Sequence, residues 1–124
     1  MILVDTSIWI DHIRSSDAML SALLTARQVT VHPFVLGELA LGTASVTSQG
    51  LLDLASLPSI VMMQDADVLR AIRSLALSGS GIGYVDAHLV LSVAVSIGHR
   101  LWTRDKRLHA VATRLNVAYE ATLQ

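Results

Sequence analysis

The sequence contains no cysteine among its 124 residues. This excludes disulfides and thiolate metal sites, and it agrees with a reducing compartment. Any bound metal must therefore be held by oxygen or imidazole ligands. The chain also lacks an excess of charge of one sign, since its formal net charge is −1.

Long apolar runs are missing as well. The longest, from Leu89 to Ile97, is interrupted by Ser92 and Ser96, and it falls short of the roughly 20 residues that a membrane helix requires. No charged segment precedes the opening apolar residues and an acid follows at position 5, so we expect no secretory signal peptide and a cytoplasmic location.

The chain is rich in apolar residues. Its length suits a single domain, residues 1–124, with one hydrophobic core. Hydrophobic residues make up 52% of the chain and the mean hydropathy is +0.56, which is high for a small protein that buries only about two thirds of its unfolded surface. We expect part of the apolar excess to contact a partner.

Short β-type runs alternate with longer segments of helical period. The runs lie at residues 2–4, 29–31, 60–63, 101–103 and 117–119, and the helical segments at 7–14, 17–26, 33–41, 46–57, 66–78, 85–97 and 106–115. This alternation predicts an α/β protein with a parallel sheet. Helix caps are predicted at Asp17, Asp65 and Asp105, a first-turn proline at Pro33, and a helix stop at Gly98. The Gly-Ser-rich stretch 78–83 is expected to be a loop beside a site.

Four carboxylates have unusual settings. Asp5 ends the first predicted strand, Asp105 follows the strand at 101–103, and Asp86 opens an apolar helix after the glycine-rich loop. Each of these three has a simple structural explanation, because acids favour helix N-termini. Glu38 lies within an otherwise apolar helix, where a carboxylate either points outward alone or is buried with a partner.

Taken together, the four acids indicate a site. Ligands of parallel α/β sheets bind at the carboxyl ends of the strands, so Asp5, Glu38, Asp86 and Asp105 are expected to converge there. Carboxylates so close repel one another, and Mg²⁺ or Mn²⁺ would hold them together. Such a site suits phosphoryl chemistry with a metal-activated water. The flanking hydroxyls of Ser7 and Thr103 are candidates to orient the carboxylates, or to serve as ordinary caps.

Basic residues cluster near Asp105. They are Arg100, Arg104, Lys106 and Arg107. This patch either contacts phosphates, with Arg104, Lys106 and Arg107 as the candidates, or solvates the start of a helix.

The five histidines are scattered without a metal-binding pair and are interpreted as structural or surface residues. His88, two positions after Asp86, is the exception, as a candidate for a phosphate or water contact. Trp9 and Trp102 lie in apolar segments, so packing is expected for both rather than stacking on bases.

Four motifs, in order and spacing, resemble those of PIN-domain ribonucleases, and within them the VapC-type toxins of toxin-antitoxin pairs. The motifs are Val4-Asp5-Thr6-Ser7-Ile8-Trp9, Gly37-Glu38-Leu39, Tyr84-Val85-Asp86-Ala87 and Leu101-Trp102-Thr103-Arg104-Asp105. The resemblance covers the whole chain.

The resemblance implies a three-layer α/β sandwich with a mainly parallel central sheet. It also implies that Asp5, Glu38, Asp86 and Asp105 are catalytic, with Asp5, Asp86 and Asp105 binding Mg²⁺ or Mn²⁺. The expected activity is RNA cleavage by metal-activated water, leaving 5′-phosphate and 3′-hydroxyl ends. The expected partners are a second copy of the chain and a cognate antitoxin, which would bind the helices at 7–26 and 46–57.

Other classes of function stay open at this point. One is a Mg²⁺-dependent phosphatase or DNA nuclease on a similar sheet. A phospho-receiver domain has similar length and alternation, but it resembles this chain poorly, because Asp5 has no acidic neighbour and Asp53 lies in a predicted helix. An inert PIN-like binding module would be expected to have lost acids that are present here.

Overall fold

The computed structural model describes residues 1–42 and 46–121, which form a small parallel sheet surrounded by helices. The strands are β1 (Ile2–Val4), β2 (Val29–Thr30) and β3 (Arg100–Trp102). The helices are α1 (Thr6–Arg14), α2 (Ala18–Thr25), α3 (Pro33–Leu41), α4 (Ser48–Ala55), α5 (Asp65–Ser74), α6 (Tyr84–Ala94) and α7 (Lys106–Arg114). The predicted α/β class with a parallel sheet is confirmed.

Strand β1 lies at the centre of the sheet, in the order β2-β1-β3. Leu3 pairs with Thr30 on one side and with Leu101 on the other, both in parallel register. Leu3 and Leu101 are fully buried, as expected for the apolar strands of a covered parallel sheet. Because the strands run in one direction, their carboxyl ends share one edge, and α1, α3 and α7 follow from that edge.

Two predicted strands are not formed as expected. Residues 60–63 form no strand, since the parallel bridge with Val31 is made by the preceding Ser59, and residues 117–119 contribute a single parallel bridge, Leu101 with Ala118. Ile60 N donates to Val31 O at 2.9 Å, but Met63 N donates to the Ser92 hydroxyl at 3.4 Å. The chain therefore leaves the sheet within a few residues of the bridge.

Helix α6 forms the interior of the molecule. All residues from Ala87 to Val93 are buried, which explains why this segment is apolar around its whole circumference. Trp9 and Trp102 also belong to the buried core, in agreement with their predicted packing role. Helix α6 has only 11 residues, and no helix in the described ranges is long and apolar enough to cross a membrane.

The helix caps follow the sequence with two exceptions. Asp17 accepts a hydrogen bond from Leu20 N and caps α2, Asp105 caps α7, and Pro33 begins α3. The prediction that Gly98 stops the helix is wrong, because α6 ends at Ala94 with Val95 as its C-cap, and Gly98, with a φ of +77°, lies in the turn before β3. The prediction for Asp65 is wrong, because α5 starts at Asp65 itself after Gln64, and the Asp65 carboxylate contacts α6 instead.

Candidate active site

Asp5 is the most firmly held of the four acids. It follows β1 directly, and its backbone N–H donates to Trp102 O on β3 at 2.9 Å. Its Oδ1 accepts from Thr6 N at 2.8 Å, so Asp5 caps α1, and its Oδ2 accepts from Thr103 Oγ1 at 2.6 Å. Asp5 is therefore both a cap and a carboxylate fixed at the strand ends, with 7% of its surface exposed.

Thr103 connects Asp5 to Asp105. The buried Thr103 hydroxyl donates to Asp5 and accepts from the backbone N–H of Asp105 at 3.1 Å. The Asp105 carboxylate caps α7 by accepting from Arg107 N and Leu108 N at 2.9 and 3.0 Å. One hydroxyl thus orients two of the acids, as the sequence suggested for Thr103.

Glu38 reaches the site from α3. Its side chain is exposed, and its Oε1 accepts a hydrogen bond from Thr6 Oγ1 at 2.6 Å. The hydroxyl beside Glu38 therefore belongs to Thr6, whereas the sequence suggested the adjacent Ser7. The Ser7 hydroxyl instead faces Arg104 N at 3.5 Å, at the limit of a hydrogen bond. The Asp5-Thr6-Ser7 run offers two hydroxyls, and the sequence alone does not distinguish between them.

Asp86 lies close enough to the other three acids to interact with their charges. It lies half-buried in the first turn of α6. Burial, followed by repulsion from Asp5, Asp105 and Glu38, raises the pKa of Asp86 from 3.8 to about 6, while a hydrogen bond with the Gly83 backbone opposes the rise. The structure therefore brings Asp5, Glu38 and Asp105 close enough to Asp86 to disfavour its charged form.

The donor set fits a hard divalent cation that keeps part of its water shell. In the described part of the chain, no three acidic or histidine side chains lie in an arrangement that could hold a metal ion by themselves, so a cation here would depend on fewer direct ligands and on its waters. Mg²⁺ is commonly bound through one or two carboxylates with several waters retained. An all-oxygen site with crowded, partly solvated carboxylates matches that chemistry.

The basic patch divides into two parts. Arg104 donates from Nε to Asp11 at 2.6 Å, and its NH2 lies 3.5 Å from Asp17. Lys106 and Arg107 line a separate groove of about 370 Å³ with Ser80, Ala110, Val111 and Arg114. Arg107 packs closely over the glycine-rich loop, because a Cβ at Gly81 would lie 2.8 Å from Arg107 Cδ.

The His88 side chain contacts Asp65, whereas the sequence suggested a phosphate or water contact near Asp86. The side chain of His88 is 1% exposed, its Nε2 lies 2.8 Å from Asp65 Oδ1, and its Nδ1 is buried without a hydrogen-bond partner in the described residues. The conformation seen here therefore gives no support to a phosphate contact. The Tyr84 hydroxyl donates to the same Asp65 oxygen at 2.9 Å, a connection that no sequence motif indicated.

Comparison with known proteins agrees with this geometry. The PIN domain family model matches residues 2–114, and the chain belongs to that family. It is similar to Ribonuclease VapC32 of Mycobacterium tuberculosis strains CDC 1551 / Oshkosh and ATCC 25618 / H37Rv, with 47% identity over 118 residues and 95% of each chain covered. The predicted resemblance to VapC-type PIN ribonucleases is confirmed.

Family membership also resolves one alternative. A phospho-receiver is excluded by the PIN match over residues 2–114. Asp53, the acid that a receiver would need at a strand end, lies in α4 and accepts from Gln49 Nε2 at 2.9 Å.

Proposed function

We propose that this protein is a Mg²⁺- or Mn²⁺-dependent endoribonuclease that acts as the toxin of a toxin-antitoxin pair. The observation that carries the proposal is the convergence of Asp5, Glu38 and Asp105 on Asp86, whose pKa is raised to about 6 by its burial and by repulsion from these three acids. A divalent cation relieves that repulsion. The Ribonuclease VapC32 relatives support RNA as the substrate.

The four acids are proposed to have different roles. Asp5, Asp86 and Asp105 would hold the cation, with Asp5 fixed by the Thr103 hydroxyl. When bound, the cation supplies activation of a water and neutralises charge on the phosphodiester. Glu38 stays exposed beside the site, where its carboxylate is available to accept a proton from the attacking water.

Lys106 and Arg107 are proposed to hold RNA phosphates next to Asp105. Arg104 belongs to the same proposal with a smaller share, because binding a phosphate would compete with its ion pair to Asp11 at 2.6 Å. The proposal is supported by the chain order, because Lys106 and Arg107 begin α7 directly after its N-cap, Asp105.

The test of the activity is cleavage with and without a divalent cation. RNA, DNA and small phosphate esters are offered side by side in Mg²⁺, Mn²⁺ and EDTA. We expect RNA cleavage in Mg²⁺ or Mn²⁺ only, with 5′-phosphate and 3′-hydroxyl ends, because water rather than the ribose 2′-hydroxyl attacks. Undiminished cleavage in EDTA or cyclic phosphate ends would contradict the mechanism, and a preference for DNA or small esters would favour the alternative enzymes.

An apolar groove supports the proposed antitoxin contact. It measures about 410 Å³, lies between the helices predicted for this role, and is lined by Trp9, His12, Ile13, Leu24, Val46, Thr47, Gly50, Asp53, Leu54 and Leu57. An antitoxin segment would place apolar side chains in this groove and a basic side chain towards the acids, in competition with the cation.

The antitoxin proposal is tested with two variants of α4. Leu54→Glu, in the groove, should prevent copurification of the product of the neighbouring gene. Leu52→Glu is the control, because Leu52 is 64% exposed on the same helix and does not line the groove. Equal antitoxin binding by both variants would contradict the assignment.

The proposed homodimer is tested separately by the mass of the purified protein in dilute solution, where a monomer would contradict it.

A further inference from the structure

Asp65 makes an unusual connection between two helices. It is the first residue of α5, yet its Oδ1 accepts from the Tyr84 hydroxyl at 2.9 Å and lies 2.8 Å from His88 Nε2. Tyr84 and His88 are four residues apart on α6, so they lie on one face of that helix. A single carboxylate oxygen therefore contacts both of the first two turns of α6.

The first turn of α6 has few restraints from its own residues. Its N-cap is Gly83, which has no side chain to accept from the helix N–H groups, and within the turn the Asp86 carboxylate contacts the Gly83 backbone. The preceding loop contains Gly79 and Gly81, both with positive φ. Helix N-termini expose backbone N–H groups and fray unless side chains restrain them. The contact with Asp65 adds to this local contact a restraint that comes from another helix.

The His88 end of the connection is rigid. Its ring packs edge-on against Tyr84 and Phe34, with centroid separations of 4.9 and 4.8 Å. The His88 side chain is 1% exposed, whereas that of Asp65 is 77% exposed. Asp65 thus reaches from the surface to a fixed point in the interior, beside the turn that carries Asp86.

Asp86 lies between these two contacts in the chain. Residues 87–93 of α6 are buried in the core, whereas Tyr84 is exposed and Asp86 is half-buried, so the core does not enclose the first turn. A displacement of that turn would separate Asp86 from the other acids. Small errors in the position of a catalytic group are costly in rate.

We propose that Asp65 is a positioning residue that holds the first turn of α6, and with it Asp86, in place beside Asp5, Glu38 and Asp105. The effect on catalysis rests on the function proposed above, whereas the effect on the helix does not. The chemistry needs an acceptor oxygen at position 65 rather than a negative charge, because Tyr84 and His88 both contact Oδ1.

The experiment compares Asp65→Ala, Asp65→Asn and Asp67→Ala in the full chain. Asp67 is the matched control, since it lies in the same first turn of α5, carries the same charge, and pairs with Arg70 of its own helix. Each variant is measured by amide hydrogen exchange of residues 84–88, by Mn²⁺ binding from the electron paramagnetic resonance of free Mn²⁺, and by kcat and KM for RNA.

We expect Asp65→Ala to speed exchange at the start of α6 and to lower Mn²⁺ affinity and kcat by about 10-fold, a loss typical of groups that orient metal ligands, with KM unchanged. Asp65→Asn keeps the acceptor oxygen and should stay within about 2-fold of wild type in each measurement, as should Asp67→Ala. A general loss of stability would instead speed exchange throughout the chain rather than at residues 84–88 alone, and it would leave the Mn²⁺ affinity of the folded protein unchanged.

Two results would overturn the proposal. Exchange in Asp65→Ala equal to that in Asp67→Ala would show that Asp65 does not restrain α6. Faster exchange with unchanged Mn²⁺ affinity and kcat would show that the restraint does not position Asp86. If wild type fails to cleave RNA, the proposed function fails, but the exchange and Mn²⁺ measurements still judge Asp65.

Discussion

Two groups of acidic residues differ in whether the fold pairs their charges. Asp11 and Asp17 both contact the guanidinium of Arg104, at 2.6 and 3.5 Å. Among residues 1–42 and 46–121, no basic side chain forms an ion pair with any member of the four-acid cluster, which consists of Asp5, Glu38, Asp86 and Asp105.

The difference indicates what each cluster is for. The charges of Asp11 and Asp17 are paired with Arg104 within the protein, and the contact of Arg104 with Asp11 joins α1 to the loop before α7. The four-acid cluster leaves its repulsion uncompensated, and this repulsion adds to burial in raising the pKa of Asp86. Charges that the fold does not pair are available to an external cation.

Removing one acid from each cluster gives the largest expected contrast. Asp5→Asn and Asp86→Asn should each lower RNA cleavage by about 100-fold or more, because loss of a metal ligand should exceed the 10- to 100-fold typical of residues that only orient ligands. Asp11→Asn is the matched control and should keep cleavage within about 3-fold of wild type, since it disturbs only an exposed ion pair. Near-normal cleavage by Asp86→Asn would remove that acid from the site.

Removing the hydroxyls that hold the acids should have the next largest effect. Thr103→Val replaces the buried donor to Asp5 with a side chain of similar shape and should lower cleavage by about 10- to 100-fold. Thr6→Val frees the exposed Glu38 and should cost less, since that carboxylate can find water. The two cleavage rates are compared with melting temperatures, and an equal loss in both variants would show that burial of the Thr103–Asp5 contact is unimportant.

The basic patch sharpens the comparison through salt dependence. In Lys106→Gln with Arg107→Gln, the slope of log binding constant against log salt should become shallower by about 1.4, at about 0.7 for each lost contact with single-stranded RNA. Arg104→Gln should change the slope less, because Arg104 is already paired with Asp11 and Asp17. Binding is measured with a catalytically inactive variant. An unchanged slope in the double variant would assign Lys106 and Arg107 to helix solvation.

The smallest expected effect is on stability without metal. Because the pKa of Asp86 is raised in the folded state from 3.8 to about 6, ionised Asp86 destabilises the fold, and this penalty grows as the pH rises from about 4 to about 6. Asp86→Asn should therefore raise the free energy of unfolding at pH 7 by about 1 kcal/mol, a value reduced for solvent screening of a half-exposed group.

The pH dependence provides the check on that effect. The gain from Asp86→Asn should disappear near pH 4, where Asp86 is protonated in wild type too. Asp11→Asn should show no such gain at either pH. Chemical denaturation in EDTA at both pH values measures the effect, and a lower stability of Asp86→Asn at pH 7 would mean that the carboxylate is a structural cap.

The sequence predicted the four-acid cluster because its geometry follows from the chain's direction. Because β1 and β3 run in parallel, Asp5 and Asp105 lie at the same edge of the sheet whatever the details of side-chain packing. The choice of Thr6 over Ser7 for Glu38 depends on side-chain rotamers, which no spacing encodes. The connection of Asp65 to Tyr84 and His88 spans 19 and 23 residues, and Asp at a helix start is equally well explained as a cap.

The edge strands show a similar limit. The apolar run at residues 60–63 suggested a full strand, but Met63 N donates to the Ser92 hydroxyl 29 residues away. Apolar runs report burial rather than the partner of each backbone group.

A Mn²⁺ titration of wild type, Asp86→Asn and Asp11→Asn, followed by electron paramagnetic resonance at pH 7 beside RNA cleavage, tests most directly the claim that the unpaired cluster is completed by a cation. We expect wild type and Asp11→Asn to bind Mn²⁺ with equal affinity and to cleave RNA, while Asp86→Asn loses both. Wild-type affinity and cleavage in Asp86→Asn, or equal losses in Asp11→Asn, would contradict the account.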